Sequence, residues 1–430
     1  MQQGFTTFIL KYRILILYTL TVLLFYNCGT SRIEKKINQQ ISLEDYQNQF
    51  TGLLIIDAET SDTVYSINSD KYFTPASNTK IFTLYSSLQY LGDSIPAIKY
   101  KIENDTISIV GTGDPTFLHP YFQDSTLMKF VEPFNYIKIY EQNLRDEKYG
   151  PGWAWEDYDT YFSPERHSLP MYGNVLQIFG NNGINTVPGS LRDKVLTKEF
   201  NFRRDYYDNK FYFNLKTNDT LEVPIVMDLK TRTMLWDSLL NIPHQLYTGI
   251  PNGALSIKYS IPSDSLYKRM MLVSDNFLAE QLLILCSSVE NNQLDTKKVR
   301  ENILSENLKG LKQKPRWVDG SGLSRYNLFT PSSFVDILSR LFKANEKKRL
   351  FSIFPSGGSS GTLKNWYVDD EAYVFAKSGS VGNNYCLSGY LITKSNRTLI
   401  FSFMNNHFTR PTAQVKEGIQ TILEMLRNNY

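Results

Sequence analysis

Helical periodicity in this chain is confined to two blocks, and the long stretch between them hardly shows it. From about Ile95 to Pro224, short strand-like pieces such as Thr106 to Val110, aromatic-rich loops and turn residues dominate. The flanks are regular. Gly52 to Ile56 is apolar, Asp57 to Asp62 reads as a turn and Thr63 to Ile67 alternates, which predicts a hairpin. A helix opened by Pro75-Ala76 carries Ile81, Leu84, Leu88 and Leu91 at helical spacing, with Gly92 where a stop would stand. Ser263 to Met271 and Asn276 to Cys286 pattern as helices, and Tyr385 to Thr393 and Thr398 to Met404 as strands. Thr412 to Leu426 gathers Val415, Ile419, Ile422, Leu423 and Leu426 on one face, suited to covering a sheet. Helices and hairpins at both ends predict one α+β domain, 29–95 plus 225–430, whose halves meet in space around an inserted mostly-β domain, 96–224.

Composition excludes several classes. With 42% hydrophobic and 21% charged residues the chain can bury a core and is not wholly disordered. A formal charge of +3, 46 basic against 43 acidic residues, gives no global attraction to nucleic acid. Three cysteines are no disulfide framework; Cys286 and Cys386 stand in apolar surroundings, as buried small hydrophobes do. His119, His167, His244 and His407 lie far apart without metal-ligand spacing. Gly357 to Thr362 lacks the Lys that a phosphate-cradling loop requires. No cofactor or metal is expected. The rings of the insertion are read as small-domain core in preference to a sugar- or peptide-binding face.

Lys11 and Arg13 precede an uncharged apolar run from Ile14 to Phe25, followed by Asn27-Cys28-Gly29. These are the proportions of an export signal, too short for a comfortable membrane span. Residues 1–28 are read as a lipoprotein-type leader with Cys28 as the lipidated residue; plain secretion and an uncleaved anchor are the competing readings. The protein is expected in a bacterial cell envelope, periplasmic and held to the membrane through that end.

Three short motifs carry the chemistry. Ser77-Asn78-Thr79-Lys80 opens the first helix, where positions i and i+3 share a face and a hydroxyl meets an amine. A serine hydroxyl needs a neighbouring base before it attacks, and a lysine serves only when burial or nearby cations lower its pKa. The first helical turn also aims the Ser77 N–H at the site as an oxyanion donor. Ser274-Asp275-Asn276 lies between two helical stretches: its hydroxyl can relay a proton and its amide can hold a carbonyl or the lysine, although all three residues also cap helices well. Lys377-Ser378-Gly379-Ser380 directly precedes strand residues. There Lys377 and Ser378 can bind a carboxylate, Gly379 can let a substrate backbone pass close, and the Ser380 N–H can be the second oxyanion donor.

Ser-x-x-Lys, then Ser-Asp-Asn, then Lys-Ser/Thr-Gly, in that order, is the signature of penicillin-recognising serine enzymes. The chain resembles the class C low-molecular-mass penicillin-binding proteins, the D-alanyl-D-alanine carboxypeptidase/endopeptidase family. The likeness extends through Gly111-Thr112-Gly113-Asp114-Pro115-Thr116, Gly152-Trp153-Ala154-Trp155-Glu156-Asp157, Asp319-Gly320-Ser321-Gly322-Leu323-Ser324-Arg325 and Gly361-Thr362-Leu363-Lys364. The resemblance implies a penicillin-binding-protein/β-lactamase-like domain of antiparallel sheet and helices, with an insertion between the first two motifs that is shortened here. It implies peptidoglycan stem peptides as substrate and β-lactams as acylating inhibitors. Ser77 would be the nucleophile and Lys80 the base. Ser274 would relay the proton, Asn276 would position Lys80 and the substrate, and Lys377 and Ser378 would hold the terminal carboxylate. Arg325 would reach a charged substrate side chain or be structural. Carboxypeptidase and endopeptidase action stay undivided at this level. A β-lactamase would need a deacylating Glu, which the sequence does not reveal. A silent envelope scaffold would have lost the chemistry, and three intact motifs argue against that.

Overall fold

The main sheet is assembled from opposite ends of the chain. A computed structural model describes residues 32–430 except 43, 181, 182, 199 and 216–218, so the leader and Cys28 lie outside the described residues. Strands β1 (Phe50–Asp57) and β2 (Thr63–Ile67) come from the first block; β3 (Val374–Val381), β4 (Asn384–Ile392) and β5 (Thr398–Asn406) come from the last. They order as β3-β4-β5-β1-β2, every pair antiparallel. The seam between the blocks pairs β1 with β5 from Phe50↔Asn406 to Asp57↔Leu399. β3 is therefore an edge strand: Pro355 and Gly357 pair with Ala376 and Val374 at its start, and the outward side beyond Ala376 is open to a ligand.

Both faces of this sheet are covered, and every residue of β5 is buried. One face carries helices α1 (Lys80–Tyr90), α2 (Ser263–Leu272), α3 (Asn276–Glu290) and α4 (Pro331–Ala344). The other carries α5 (Thr412–Asn429), whose buried residues are Val415, Ile419, Ile422, Leu423 and Leu426, the face expected from its spacing. α1 departs from its expected single apolar stripe: Lys80 through Ser87 are all buried. The helix runs through the core, and its polar residues bond to backbone carbonyls, Ser86 to Phe82 at 2.9 Å, Ser87 to Thr83 at 2.8 Å and Thr83 to Gly320 at 2.7 Å. Buried polar groups so paired cost little. Phe82 anchors the helix in an aromatic nest of Trp317, Phe329 and Phe334, and a ring buried in this way contributes roughly 1.5–3 kcal/mol. Cys286 and Cys386 are free and buried, and burial pushes both thiols up to about 12.

The inserted region has its own core, with Ile107, Ile137, Leu176, Phe211, Phe213 and Trp236 at its centre. Its five-stranded sheet orders His244–Tyr247, Tyr136–Tyr140, Thr106–Gly111, Ser94–Glu103 and Ser256–Pro262. Two of those strands lie beyond 224, so the boundary expected there falls inside the sheet, which closes only at Pro262. The reason is the pairing of Ser256–Pro262 with Ser94–Glu103, which returns the chain to its point of departure. The aromatic residues divide: Phe117, Phe211, Phe213 and Trp236 are core, whereas Trp155, Tyr161, Tyr206 and Tyr207 are exposed.

Candidate active site

Ser77 sits in a single 3-10 turn, Ala76–Thr79, that leads directly into α1. Lys80, the first residue of α1, is completely buried, and its Nζ donates to Ser77 Oγ at 3.0 Å, Asn276 Oδ1 at 2.6 Å and the Ser321 carbonyl at 2.7 Å. Three acceptors fix the amine beside the hydroxyl. Burial pushes Lys80 down to about 8, against the opposing pull of Asp319, Asp275 and Glu280. Such a lysine gives up its proton far more readily than one in water.

The Ser274-Asp275-Asn276 junction joins α2 to α3. Asp275 caps α3, accepting the Leu278 N–H at 3.0 Å, so the capping role and a site role coexist in one tripeptide. Asn276 gives its Oδ1 to Lys80 and donates Nδ2 to the Phe162 carbonyl of the inserted region at 3.1 Å. Ser274 has φ +60° and Ala76 φ +47°, left-handed conformations that cost about 1–3 kcal/mol each in a non-glycine residue. Ala76 immediately precedes Ser77, and Ser274 carries the other hydroxyl of the site.

On the edge strand, Lys377 Nζ donates to Ser274 Oγ at 2.9 Å and to the Ser378 carbonyl at 2.7 Å. Lys377 is fully buried; burial first, then the charge of Lys80, drives it well below the usual lysine range. Ser378 Oγ pairs with Thr362 Oγ1 at 2.7 Å. Gly379 packs against the turn of Ser77. A Cβ there would lie 2.6 Å from the Pro75 carbonyl, 2.8 Å from the Ser77 nitrogen and 2.9 Å from the Asn78 nitrogen. Its missing side chain makes room for the turn that carries Ser77. Asn78 Nδ2 also donates to Ser388 Oγ on β4 at 2.7 Å, so turn and sheet are pinned together.

Ser77, Ser274, Asn276, Ser380, Arg325 and Thr362 line one cleft of about 840 Å³, with Lys80 and Lys377 buried. Arg325 is exposed beside Gly382, at the far end of the edge strand from Lys377. Sequence reasoning assigned no role to the groups behind Lys80. Glu280 accepts the Ser321 N–H at 2.7 Å and faces the Arg166 guanidinium at 3.4 Å, so each of its oxygens has a partner within the protein. Asp319 gathers Trp153 Nε1 at 2.8 Å, the Gly322 and Ser324 N–H groups at 2.9 and 2.6 Å, and Asn327 Nδ2 at 2.7 Å. Gly322, at φ +86°, lies against the Ala76 carbonyl where any Cβ would collide. The loop that presents the Ser321 carbonyl is thus clamped onto the nucleophile's turn. Among the described residues no cluster of His, Cys, Asp and Glu could hold a metal ion.

A hydroxyl held by a buried amine, beside a second such pair and the free edge of an antiparallel sheet, defines a serine hydrolase of the penicillin-binding-protein/β-lactamase-like fold. The fold matches the crystal structure of penicillin-binding protein 4 (DacB) from Haemophilus influenzae with TM-score 0.71 and 18% identity, over 92% of this chain and 99% of that one. A model of the D-Ala-D-Ala carboxypeptidase 3 (S13) family matches residues 33–184 and 247–429, and the chain belongs to that family. Relatives include penicillin-sensitive carboxypeptidase A of Dictyostelium discoideum, 22% identical over 84% of this chain and 83% of that protein. The D-alanyl-D-alanine carboxypeptidase DacB of Haemophilus influenzae is 28% identical over 41% of this chain and 39% of its own length. The protein is a serine-type D-Ala-D-Ala carboxypeptidase, a hydrolase.

Proposed function

We propose that Ser77 opens the D-Ala-D-X bond of peptidoglycan stem peptides through an acyl-enzyme, with Lys80 as its base. The observation that carries this is the 3.0 Å contact between Lys80 Nζ and Ser77 Oγ, on an amine whose burial favours the neutral form. Ser77 Oγ bonds to the carbonyl carbon as its proton passes to Lys80. The N–H groups of Ser77 and Ser380 receive the oxyanion, each worth on the order of 3 kcal/mol. Ser274 relays that proton from Lys80 to the leaving amine as the C–N bond breaks; attack of water on the ester then releases the acyl group as a carboxylic acid and returns a proton to Ser77 Oγ. Lys377, Ser378 and Thr362 hold the carboxylate beside the scissile bond. Arg325, at the opposite end, faces the acyl side of the peptide. A β-lactam enters the same attack and stalls as the ester, in keeping with the β-lactam complex solved for the Haemophilus structure. Mass spectrometry of penicillin-treated protein should place the adduct on the peptide containing Ser77, and a pentapeptide substrate should release D-Ala until penicillin blocks it. Absence of both adduct and D-Ala would refute the reading.

The base makes a pH prediction. A carboxylate-free fluorophosphonate isolates Lys80 from the carboxylate anchor Lys377. Its rate of reaction with Ser77 should rise about tenfold per pH unit while Lys80 is mainly charged and level off above about 8. A flat profile across that range would exclude Lys80 as the titrating base.

Substrate of this kind places the enzyme outside the cytoplasmic membrane, and the Lys11–Cys28 segment supports an envelope protein lipidated at Cys28. Among the described residues no helix is long and apolar enough to cross a membrane. Fractionation should find the parent with membranes and Cys28→Ser among soluble envelope proteins; identical partition of the two would reject the lipid anchor.

A further inference from the structure

Large rings on the inserted region face solvent, and they do so together. Trp155 is 72% exposed, Tyr207 82% and Tyr206 44%. The Tyr206 ring centroid lies 6.5 Å from that of Trp155, 4.7 Å from Tyr207 and 4.8 Å from Tyr158, so the rings form one contiguous patch. Single exposed rings are commonplace, whereas a contiguous apolar patch marks a binding surface.

The patch is rigidly built. Arg204 is fully buried and ties its two loops together: the guanidinium stands 5.3 Å from the Tyr158 ring centroid and donates to the carbonyls of Tyr158, Asp205 and Tyr206 at 3.1, 2.7 and 3.2 Å. Tyr158 Oη donates back to the Arg204 carbonyl at 2.9 Å. Rings held in this way need little further ordering when a ligand lands on them.

The patch is also continuous with the cleft. Its first loop is fastened to the loop that presents the Ser321 carbonyl to Lys80. Trp153 Nε1 donates to Asp319 at 2.8 Å, the Arg325 N–H to the Gly152 carbonyl at 3.2 Å and Ser324 Oγ to the Pro151 carbonyl at 2.6 Å. Ala154, Asp157 and Tyr161 line the same cleft as Ser77. Burial raises the Asp157 carboxyl and the charge of Arg325 opposes that rise, so the two are close enough to feel each other. The rings therefore border the Arg325 end of the cleft, assigned above to the acyl side of the peptide.

What lies beyond the acyl side follows from the chemistry of the substrate. A stem peptide hangs from its glycan strand by its N-terminal end, so the acyl half brings a sugar to the mouth of the cleft. Four residues from the scissile carbonyl to that sugar reach roughly 14 Å at full extension, about half the width of a small domain, so the sugar comes to rest against the protein. A pyranose ring has apolar C–H faces and hydroxyls around its edge. Trp and Tyr match it, with an apolar body and a polar tip. Glu156 and Asp208, exposed next to Trp155 and Tyr207 in the chain, offer carboxylates to the hydroxyls. The same acids disfavour an anionic bilayer, which recruits Lys and Arg. We propose that Trp155, Tyr206 and Tyr207 form a subsite for the glycan strand that bears the stem peptide being cut. The proposal rests on the orientation assigned above, with the acyl side toward Arg325.

The test separates binding from chemistry. Glycan strands stripped of their stems by an amidase are titrated by calorimetry into the purified full chain and into Ser77→Ala. Both should bind the strands, and a Trp155→Ala, Tyr207→Ala double variant should bind them about tenfold more weakly. Both replaced side chains are mainly exposed, so their truncation strands no buried group. The parent's kcat/KM for a pentapeptide carried on its disaccharide should exceed that for the free pentapeptide. The double variant should lose this difference while its rate of penicillin acylation stays within about twofold of the parent's. A parent that ignores stripped strands, a double variant that keeps the preference, or a parent retained by anionic vesicles and not by glycan would overturn the proposal. Strand binding without penicillin adduct or D-Ala release would support the subsite and overturn the reading of Ser77.

Discussion

Replacing Ser77 by Ala should abolish penicillin labelling and peptide cleavage and leave the melting temperature close to the parent's. The chemical half of that result follows from the proposed mechanism, in which Ser77 Oγ is the one atom that forms the covalent bond. Loss of an enzyme nucleophile removes on the order of 10⁶ in kcat in a well-studied serine hydrolase. The structural half follows from what Ser77 Oγ touches. It accepts one hydrogen bond, from Lys80, and Lys80 retains Asn276 Oδ1 and the Ser321 carbonyl when that acceptor goes. No buried group is stranded, so the stability change should stay within about 1 kcal/mol. Non-covalent binding of a stem-peptide analogue, read by calorimetry, should survive because Lys377, Ser378 and Thr362 are untouched. Stoichiometric penicillin adduct in the Ala variant would mean that another residue is the nucleophile.

The contrast between Ser77 and its surroundings shows what could be read from the chain alone. The hairpin of β1 and β2, the strands β4 and β5 and the buried face of α5 follow from local pattern: short apolar runs bounded by turns for the strands, which β4 and β5 bury almost throughout, and one apolar stripe for the helix. The convergence of Ser77, Asn276 and Lys377 followed from a resemblance, since no local pattern reports a contact between residues so distant in sequence. Lys80's third partner was invisible for a physical reason. The Ser321 carbonyl is a backbone atom, and any residue supplies one. Phe162, whose carbonyl takes the Asn276 amide, is hidden in the same way. Asp319 and Thr362 lie inside stretches that carried the likeness, but nothing in their identity said which atoms they would hold.

The domain boundary was misplaced for two separate reasons. His244–Tyr247 is four residues long and pairs in parallel with Tyr136–Tyr140, a long-range contact without local signature. Ser256–Pro262 did carry alternation, Ile257, Tyr259, Ile261, yet Ile257 and Tyr259 are exposed. The strand is held by its backbone pairing rather than by a buried face. Gly379 was read as letting a substrate backbone pass close; the structure adds that the protein's own turn packs against it.

A Lys80→Met variant separates the lysine's chemical role from its structural one. Acylation by penicillin should fall about 10⁴-fold, the upper range for a general base, because among the described residues no other side chain bonds to Ser77 Oγ to take its proton. Stability should barely move, since two sizeable effects oppose each other. The buried ammonium is held at about 8 rather than 10.5, which corresponds to about 3 kcal/mol of cost at pH 7. Removing it recovers that amount but leaves Asn276 Oδ1 and the Ser321 carbonyl without their donor, roughly 1–3 kcal/mol for each buried acceptor. The sign of the pH dependence tells the terms apart. Between about 8 and 10.5 the unfolded chain holds a proton on Lys80 that the folded one has lost, so the parent gains stability as pH rises through that window. The Met variant lacks this gain, so its stability relative to the parent is best below about 8 and poorest above 10.5. Denaturant melts at three pH values together with acylation rates supply both readouts. Acylation within tenfold of the parent would remove Lys80 as the base, whatever the melts show.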